Sequence, residues 1–311
     1  MTGYKAFVVF NPRSAGGATA RRWTEIEPAL QKALGTYEQA PTQGPGHASV
    51  LTREALKAGF EMIVAIGGDG TFHEVVNGFY DGENPIVPNP VLGLVPAGTG
   101  GDYRRTWGLT TDPVEAISRL SGLAATPTDL GRIRWTEPDG SAAFRYFVNI
   151  ASFGLSAEVS RRVNASSKRL GGRMSFFLAS LGAMGSHTRR PVTLLTDGDS
   201  VKSVSLNFGA VALGQYCGGG MRMAPKAETG DGLFDIVTVS DCSRLKLAAM
   251  LDIYKGKHIT RPEVATWRGQ VVDATCESPE GCFIEADGEV FGQLPARFEI
   301  LKSACRVKVA G

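Results

Sequence analysis

Over residues 6–120 the chain alternates short β-branched or apolar runs with stretches whose apolar positions recur every three or four residues. "AFVVF" (6–10) predicts a strand, 18–34 a helix, "TYEQA" (36–40) a strand and 47–58 a helix. "MIVAI" (62–66) predicts a buried strand, and after Thr71 the residues Phe72, Val75, Val76 and Phe79 fall at helical spacing. "VLGLV" (91–95) and a helix from about Asp112 to Leu120 complete the series. Strands separated by helices imply βαβ units and a mainly parallel sheet, with the turns at the carboxyl ends of the strands gathered where such folds bind ligands.

From about residue 126 the pattern changes to longer extended segments, "AAFRYFVNIASF", "SVSLNFGAVALG", "LFDIVTVS" and "CFIEADGEVF". Their alternation and their β-branched and aromatic content predict an antiparallel, β-rich second domain. The boundary falls near "GLAATPTDLG" (122–131), giving an α/β domain over 1–125 and a β-rich domain over 126–301, with 302–311 able to return to the first. A chain of 311 residues is long enough for this division.

Charge and cysteine content narrow the function classes. Lys+Arg 33 against Asp+Glu 31 leaves +2, which argues against nucleic-acid binding by bulk charge. The five cysteines form no CxxC pair and fit reduced thiols in a cytoplasm. Cys276 and Cys282 flank "ESPEG", either as thiols across a hairpin or as a small loop closed by oxidation. No window reaches the roughly 18 apolar residues that span a bilayer. Local charge is uneven, however. Residues 159–196 lack Asp and Glu, while Arg161, Arg162, Lys168, Arg169, Arg173, Arg189 and Arg190 bracket "MSFFLASLGAMG" (174–185). That pattern suits either an interfacial helix drawn to anionic lipid or a helix packed on the β domain with its basic flanks in water.

The glycine turns carry the chemistry. In "GGDGT" (67–71) Gly67, Gly68 and Gly70 let a backbone approach an anion, and the helix start offers N–H groups with partial positive charge. Asp69 would repel a phosphate unless a divalent cation or proton donor stands between them, so the turn hints at a metal–phosphate site; alternatively Asp69 only caps a helix. "VVFNPRSAGG" (8–17) and "GLVPAGTGGD" (93–102) end two further strands in Ser/Gly and Gly/Thr turns. "APKAETGDGLFD" (224–235) offers hard oxygen ligands of the kind Mg²⁺ accepts. "IEADGEVFG" (284–292) sets Glu285, Asp287 and Glu289 in alternation, which would place all three on one face unless the Asp-Gly turn interrupts it. Each of these has a purely structural reading when taken singly, and neither a Walker A motif nor a GxGxxG motif occurs in the first domain.

Taken in order from residue 8 to about 292, these stretches resemble the diacylglycerol kinase catalytic family, which includes bacterial lipid kinases, sphingosine kinases and ceramide kinases. The resemblance implies an α/β nucleotide domain of the kind shared with NAD kinases and phosphofructokinases, a β-sandwich domain, and an active site in the cleft between them. It implies ATP and Mg²⁺ as cofactors. Asn11, Thr42, Gly67, Gly68, Asp69, Gly70, Thr71 and Thr99 are then expected to hold nucleotide, with Asp69 the carboxylate at the Mg²⁺–phosphate centre. Asp231, with the carbonyls of Glu228 and Leu233, corresponds to a structural Mg²⁺ site of bacterial members. Glu289 corresponds to the general base on the lipid hydroxyl. Two positions depart from the family pattern, Gly101 in place of Asn and His73 in place of Asn; His73 is expected on a helix surface.

The expected activity is transfer of the ATP γ-phosphate to a membrane-lipid hydroxyl, diacylglycerol first, by a cytoplasmic protein peripherally bound to anionic membrane through 161–190. Nucleic acid is not an expected partner, and a homodimer through the β domain is compatible with the family. The rival readings are an NAD kinase, which shares GGDGT, and a nucleotide- or lipid-binding regulatory protein without turnover.

Overall fold

Glycine and short polar turns divide the chain into elements whose burial follows their pattern. In the computed structural model, which describes residues 2–98, 101–155, 157, 190–240, 251–278 and 281–309, the chain forms two compact units, one of residues 1–130 with 302–311 and one of residues 131–301.

The first unit runs β1 (Ala6–Phe10), α1 (Ser14–Arg21), α2 (Trp23–Leu34), β2 (Tyr37–Pro41), α3 (His47–Lys57), β3 (Met62–Gly67), α4 (Asp69–Asn77), the two-residue strands β4 (Tyr80–Asp81) and β5 (Asn84–Pro85), β6 (Val91–Pro96), α5 (Asp102–Thr106) and α6 (Pro113–Ser118). The strand order is β2-β1-β3-β6, all parallel, and Arg306–Lys308 near the C-terminus add a further parallel strand beside β6. Every residue of β3 and β6 is buried, as in a parallel sheet covered on both faces. Ile26, Leu30 and Ile117 pack against Val8, Val64, Ile66 and Val95. The predicted helix over 18–34 is two helices. Ala15, Gly16 and Gly17 all have positive φ and break the first one, and α6 is capped by Asp112, whose carboxylate accepts the N–H groups of Val114 and Glu115.

The second unit contains β7 (Thr126–Thr136, of which 131–136 lie in this unit), β8 (Ala142–Phe147), β9 (Ile150–Gly154), β10 (Arg190–Thr196), β11 (Asp199–Ala212), β12 (Phe234–Ser240), β13 (Val264–Gly269), β14 (Val271–Cys276), β15 (Phe283–Ala286), β16 (Glu289–Gln293) and the first part of β17 (Ala296–Lys308). Its described strand pairs are antiparallel. Two apolar clusters form its core. One gathers Phe147, Phe153, Phe234, Val272 and Phe298, and the other Ile150, Phe208, Val237 and Val264. "AAFRYFVNIASF" is two strands rather than one, parted at Val148 and Asn149. Cys276 and Cys282 are free thiols. Among the described residues no helix is long and apolar enough to cross a membrane, and the basic segment 161–189 lies outside them.

Candidate active site

Four parallel strands of the first unit end side by side, and backbone hydrogen bonds lock their turns together. Thr42, just past β2, donates its N–H to Phe10 O at 2.8 Å; Asn11, just past β1, donates to Ile66 O at 2.9 Å; Ala97, just past β6, donates to Gly67 O at 2.7 Å. The predicted nucleotide residues Asn11, Thr42 and Gly67–Thr71 thus lie at one edge of the sheet, where parallel α/β sheets offer their turns to ligands. Thr99 lies outside the described residues.

The glycines of this edge are sterically required. A Cβ on Gly67 would sit 2.3 Å from Thr71 Oγ1, and one on Gly98 would sit 2.5 Å from the Gly68 Cα. The turn after β3 and the turn after β6 therefore touch backbone to backbone, at a distance only hydrogen allows. Helix α4 starts at Asp69 with no side-chain cap on its N-terminus. In the neighbouring turn, Asn11 Oδ1 accepts the Arg13 N–H at 2.9 Å, and Asn11 O accepts both the N–H and the hydroxyl of buried Ser14.

Asp69 does cap a helix, but not its own. Its carboxylate accepts the N–H groups of Asp102, at 3.0 Å, and Tyr103, at 3.3 Å, the first two residues of α5. Asp102, largely buried, pairs in turn with Arg105 Nη1 at 2.8 Å. Gly101, where the family pattern has Asn, takes φ +64° as it leads into α5, a conformation that Gly and Asn adopt more readily than other residues. His73 is buried, not on the helix surface, and its Nε2 lies 3.3 Å from Asn77 Nδ2. Its face of α4 turns inward because Phe72, Val75 and Val76 flank it there.

In the second unit Glu285, Asp287 and Glu289 do not share a face. Glu285 is buried and accepts the Ser152 hydroxyl at 2.7 Å. Asp287, at φ +52°, sits in the β15–β16 turn and accepts three N–H groups, those of Val148, Asn149 and Ile150, at 3.1, 3.0 and 3.2 Å. Glu289 opens β16 opposite Ala286 and is exposed. The Asp-Gly turn breaks the alternation and sends each carboxylate to different surroundings.

Sequence reasoning missed Arg145. Its guanidinium stacks on Phe291 at 4.7 Å, and its pKa lies below the usual arginine value because burial outweighs the charges of Glu289 and Glu137. β8 pairs with β7 and β16 with β15, so the contact joins strands that are not ladder neighbours, and no spacing in the sequence signals it.

The resemblance implies a Mg²⁺ site at the turn 228–233. Asp231 Oδ1 accepts the Leu233 N–H at 3.0 Å, and Oδ2 is ion-paired with Arg268 Nη2. Glu228 is exposed. The Arg268 guanidinium, a positive charge of the chain itself, holds the one carboxylate that the implied divalent cation would use, so this turn does not fit such a cation.

Residues 5–133 match the diacylglycerol kinase catalytic domain, and residues 149–309 match the YegS C-terminal NAD kinase beta sandwich-like domain. The chain belongs to the diacylglycerol kinase family. It is 30% identical to a diacylglycerol kinase of Mycobacterium tuberculosis over 97% of this chain and 94% of that one. A diacylglycerol kinase of Staphylococcus carnosus is 29% identical over the same shares. In fold it is similar to the crystal structure of a diacylglycerol kinase from Bacillus anthracis, with a TM-score of 0.74 at 20% identity, covering 99% of this chain and 98% of that one. Membership makes it a kinase of the lipid-kinase class, with an α/β catalytic domain on a mainly parallel sheet followed by a β-sandwich-like domain.

Proposed function

We propose that this diacylglycerol kinase family member uses ATP and Mg²⁺ to phosphorylate the free hydroxyl of diacylglycerol, giving phosphatidic acid. The observation that carries the reading is the edge where Gly67–Thr71, Asn11, Thr42 and Gly98 meet, with Asp69 fixed among them by the start of α5. Phosphoryl transfer asks for positioning and charge neutralisation more than for covalent help. The glycines let the turns after β3 and β6 come together beside the start of α4, whose N-terminal N–H groups suit a polyphosphate, and Asp69 would serve the cation that travels with it. Mg²⁺ bound with ATP would offset the charge that develops on the β- and γ-phosphates.

Glu289 is the proposed base. Its exposed carboxylate accepts the hydroxyl proton as the alcohol oxygen bonds to the γ-phosphorus and ADP departs, a contribution of about 10²–10⁴-fold. Because the acceptor is a membrane lipid, the enzyme works at the membrane surface. The basic stretch 161–190 is proposed to hold it there through anionic lipid.

The test is transfer of labelled γ-phosphate from ATP to a panel of lipids in mixed micelles, with NAD as a further acceptor. Label in diacylglycerol, lost in Glu289→Gln with little change in KM for ATP, is expected. Label in NAD alone, or bound ATP with no acceptor labelled, would refute the reading.

A further inference from the structure

The acidic turn of the second unit has a cation of its own. In the antiparallel pairing of β12 with β13, Arg268 stands directly opposite Asp235. From there its Nε lies 3.3 Å from Asp235 Oδ2, and its Nη2 pairs with Asp231, four residues back in the turn that leads into β12. The carboxyl of Asp235 is buried. One planar group therefore bridges the strand and the turn, with separate nitrogens aimed at two carboxylates.

We propose that Arg268 takes the place of a divalent metal ion in this turn, so that the second unit of this chain is held together without the structural cation that its acidic turn suggests. A metal ion at Asp231 would have to displace the guanidinium and then bear its repulsion, since register keeps Arg268 anchored opposite Asp235. The proposal is independent of the phosphoryl-transfer reading, because Mg²⁺ that arrives with ATP binds elsewhere.

Thermal melting of the full chain without nucleotide tests it. The wild type is expected to melt at the same temperature in EDTA and in millimolar Mg²⁺ or Ca²⁺. Arg268→Ala, which leaves Asp231 and Asp235 facing each other uncompensated, is expected to melt about 2–8 °C lower in EDTA and to regain part of that loss with Ca²⁺ or Mg²⁺. Stabilisation of the wild type by either metal, abolished in Asp231→Asn, would overturn the proposal, as would an Arg268→Ala variant that melts like the wild type. Should Arg268→Ala fail to fold, Mn²⁺ titration of the nucleotide-free wild type decides. A single bound ion that Asp231→Asn removes would refute the proposal, and no ion sensitive to that substitution would support it.

Discussion

Asp69, the first residue of α4, accepts the backbone N–H of Asp102, the first residue of α5, at 3.0 Å. One carboxylate thus joins two turns separated by 33 residues, and any group that Asp69 orients depends on where α5 begins. Asp69→Asn keeps the shape of the side chain but weakens a charge-assisted bond. It is expected to lower turnover by about 10²-fold through misplacement at the reacting phosphate. Hydrogen exchange at the Asp102 and Tyr103 amides is expected to quicken in the same variant; unchanged exchange with lost turnover would mean that Asp69 does not hold α5.

The β15–β16 turn separates an anchoring carboxylate from the proposed base. Asp287 accepts three backbone N–H groups, while Glu289 is exposed. Asp287→Ala is expected to cost about 2–3 kcal/mol in stability because buried donors lose a charged acceptor. Glu289→Gln is expected to leave stability within about 0.5 kcal/mol of wild type, as surface substitutions do, while abolishing most transfer. Denaturant titration beside the labelled-phosphate assay checks both.

Gly98 and Gly68 meet where a Cβ on Gly98 would come within 2.5 Å of the Gly68 Cα. Gly98→Ala forces the two turns apart and is expected to destabilise by about 1–3 kcal/mol, together with a raised KM for ATP. Gly44→Ala serves as the control, since its Cβ would meet nothing within 4 Å and its φ is not positive. Equal behaviour of the two variants would show that this edge of the sheet is not close-packed in solution.

Cys305 is fully buried, and its thiol is pushed up to about 12 by burial, from an ordinary 9.0. A folded value above the unfolded one means that stability is unaffected below about pH 9 and declines as pH rises from there toward 12, where the unfolded chain alone releases the proton. Cys305→Ala is expected to lose less stability over that window than the wild type. Peptide mapping after alkylation at about pH 8 is expected to find Cys217 and Cys276, both half-buried, modified before Cys305.

The sequence by itself determined the fold class and the main strands and helices of the first unit, though not the division of 14–34 into two helices or the short elements β4, β5 and α5. Strands such as Met62–Gly67 and Val91–Pro96 carry continuous apolar runs bounded by glycine, and helices such as His47–Lys57 carry the 3.6-residue period; both are local signals that survive without knowledge of neighbours. The sequence also placed glycine-bearing turns at the ends of these strands, because the need for glycine in a tight turn is written in consecutive residues.

Tertiary structure alone decided which side chain each carboxylate meets. Asp69 reaches the start of α5, Asp287 the residues between β8 and β9, and Asp231 an arginine on β13, partners 33 to 139 positions away in sequence. Strand register and chain crossing set these pairings, and no periodicity encodes them. Burial of His73 and the stacking of Arg145 on Phe291 belong to the same class. A residue's neighbours within a helix or strand follow from the backbone period, whereas its neighbours across elements follow from how the whole core packs.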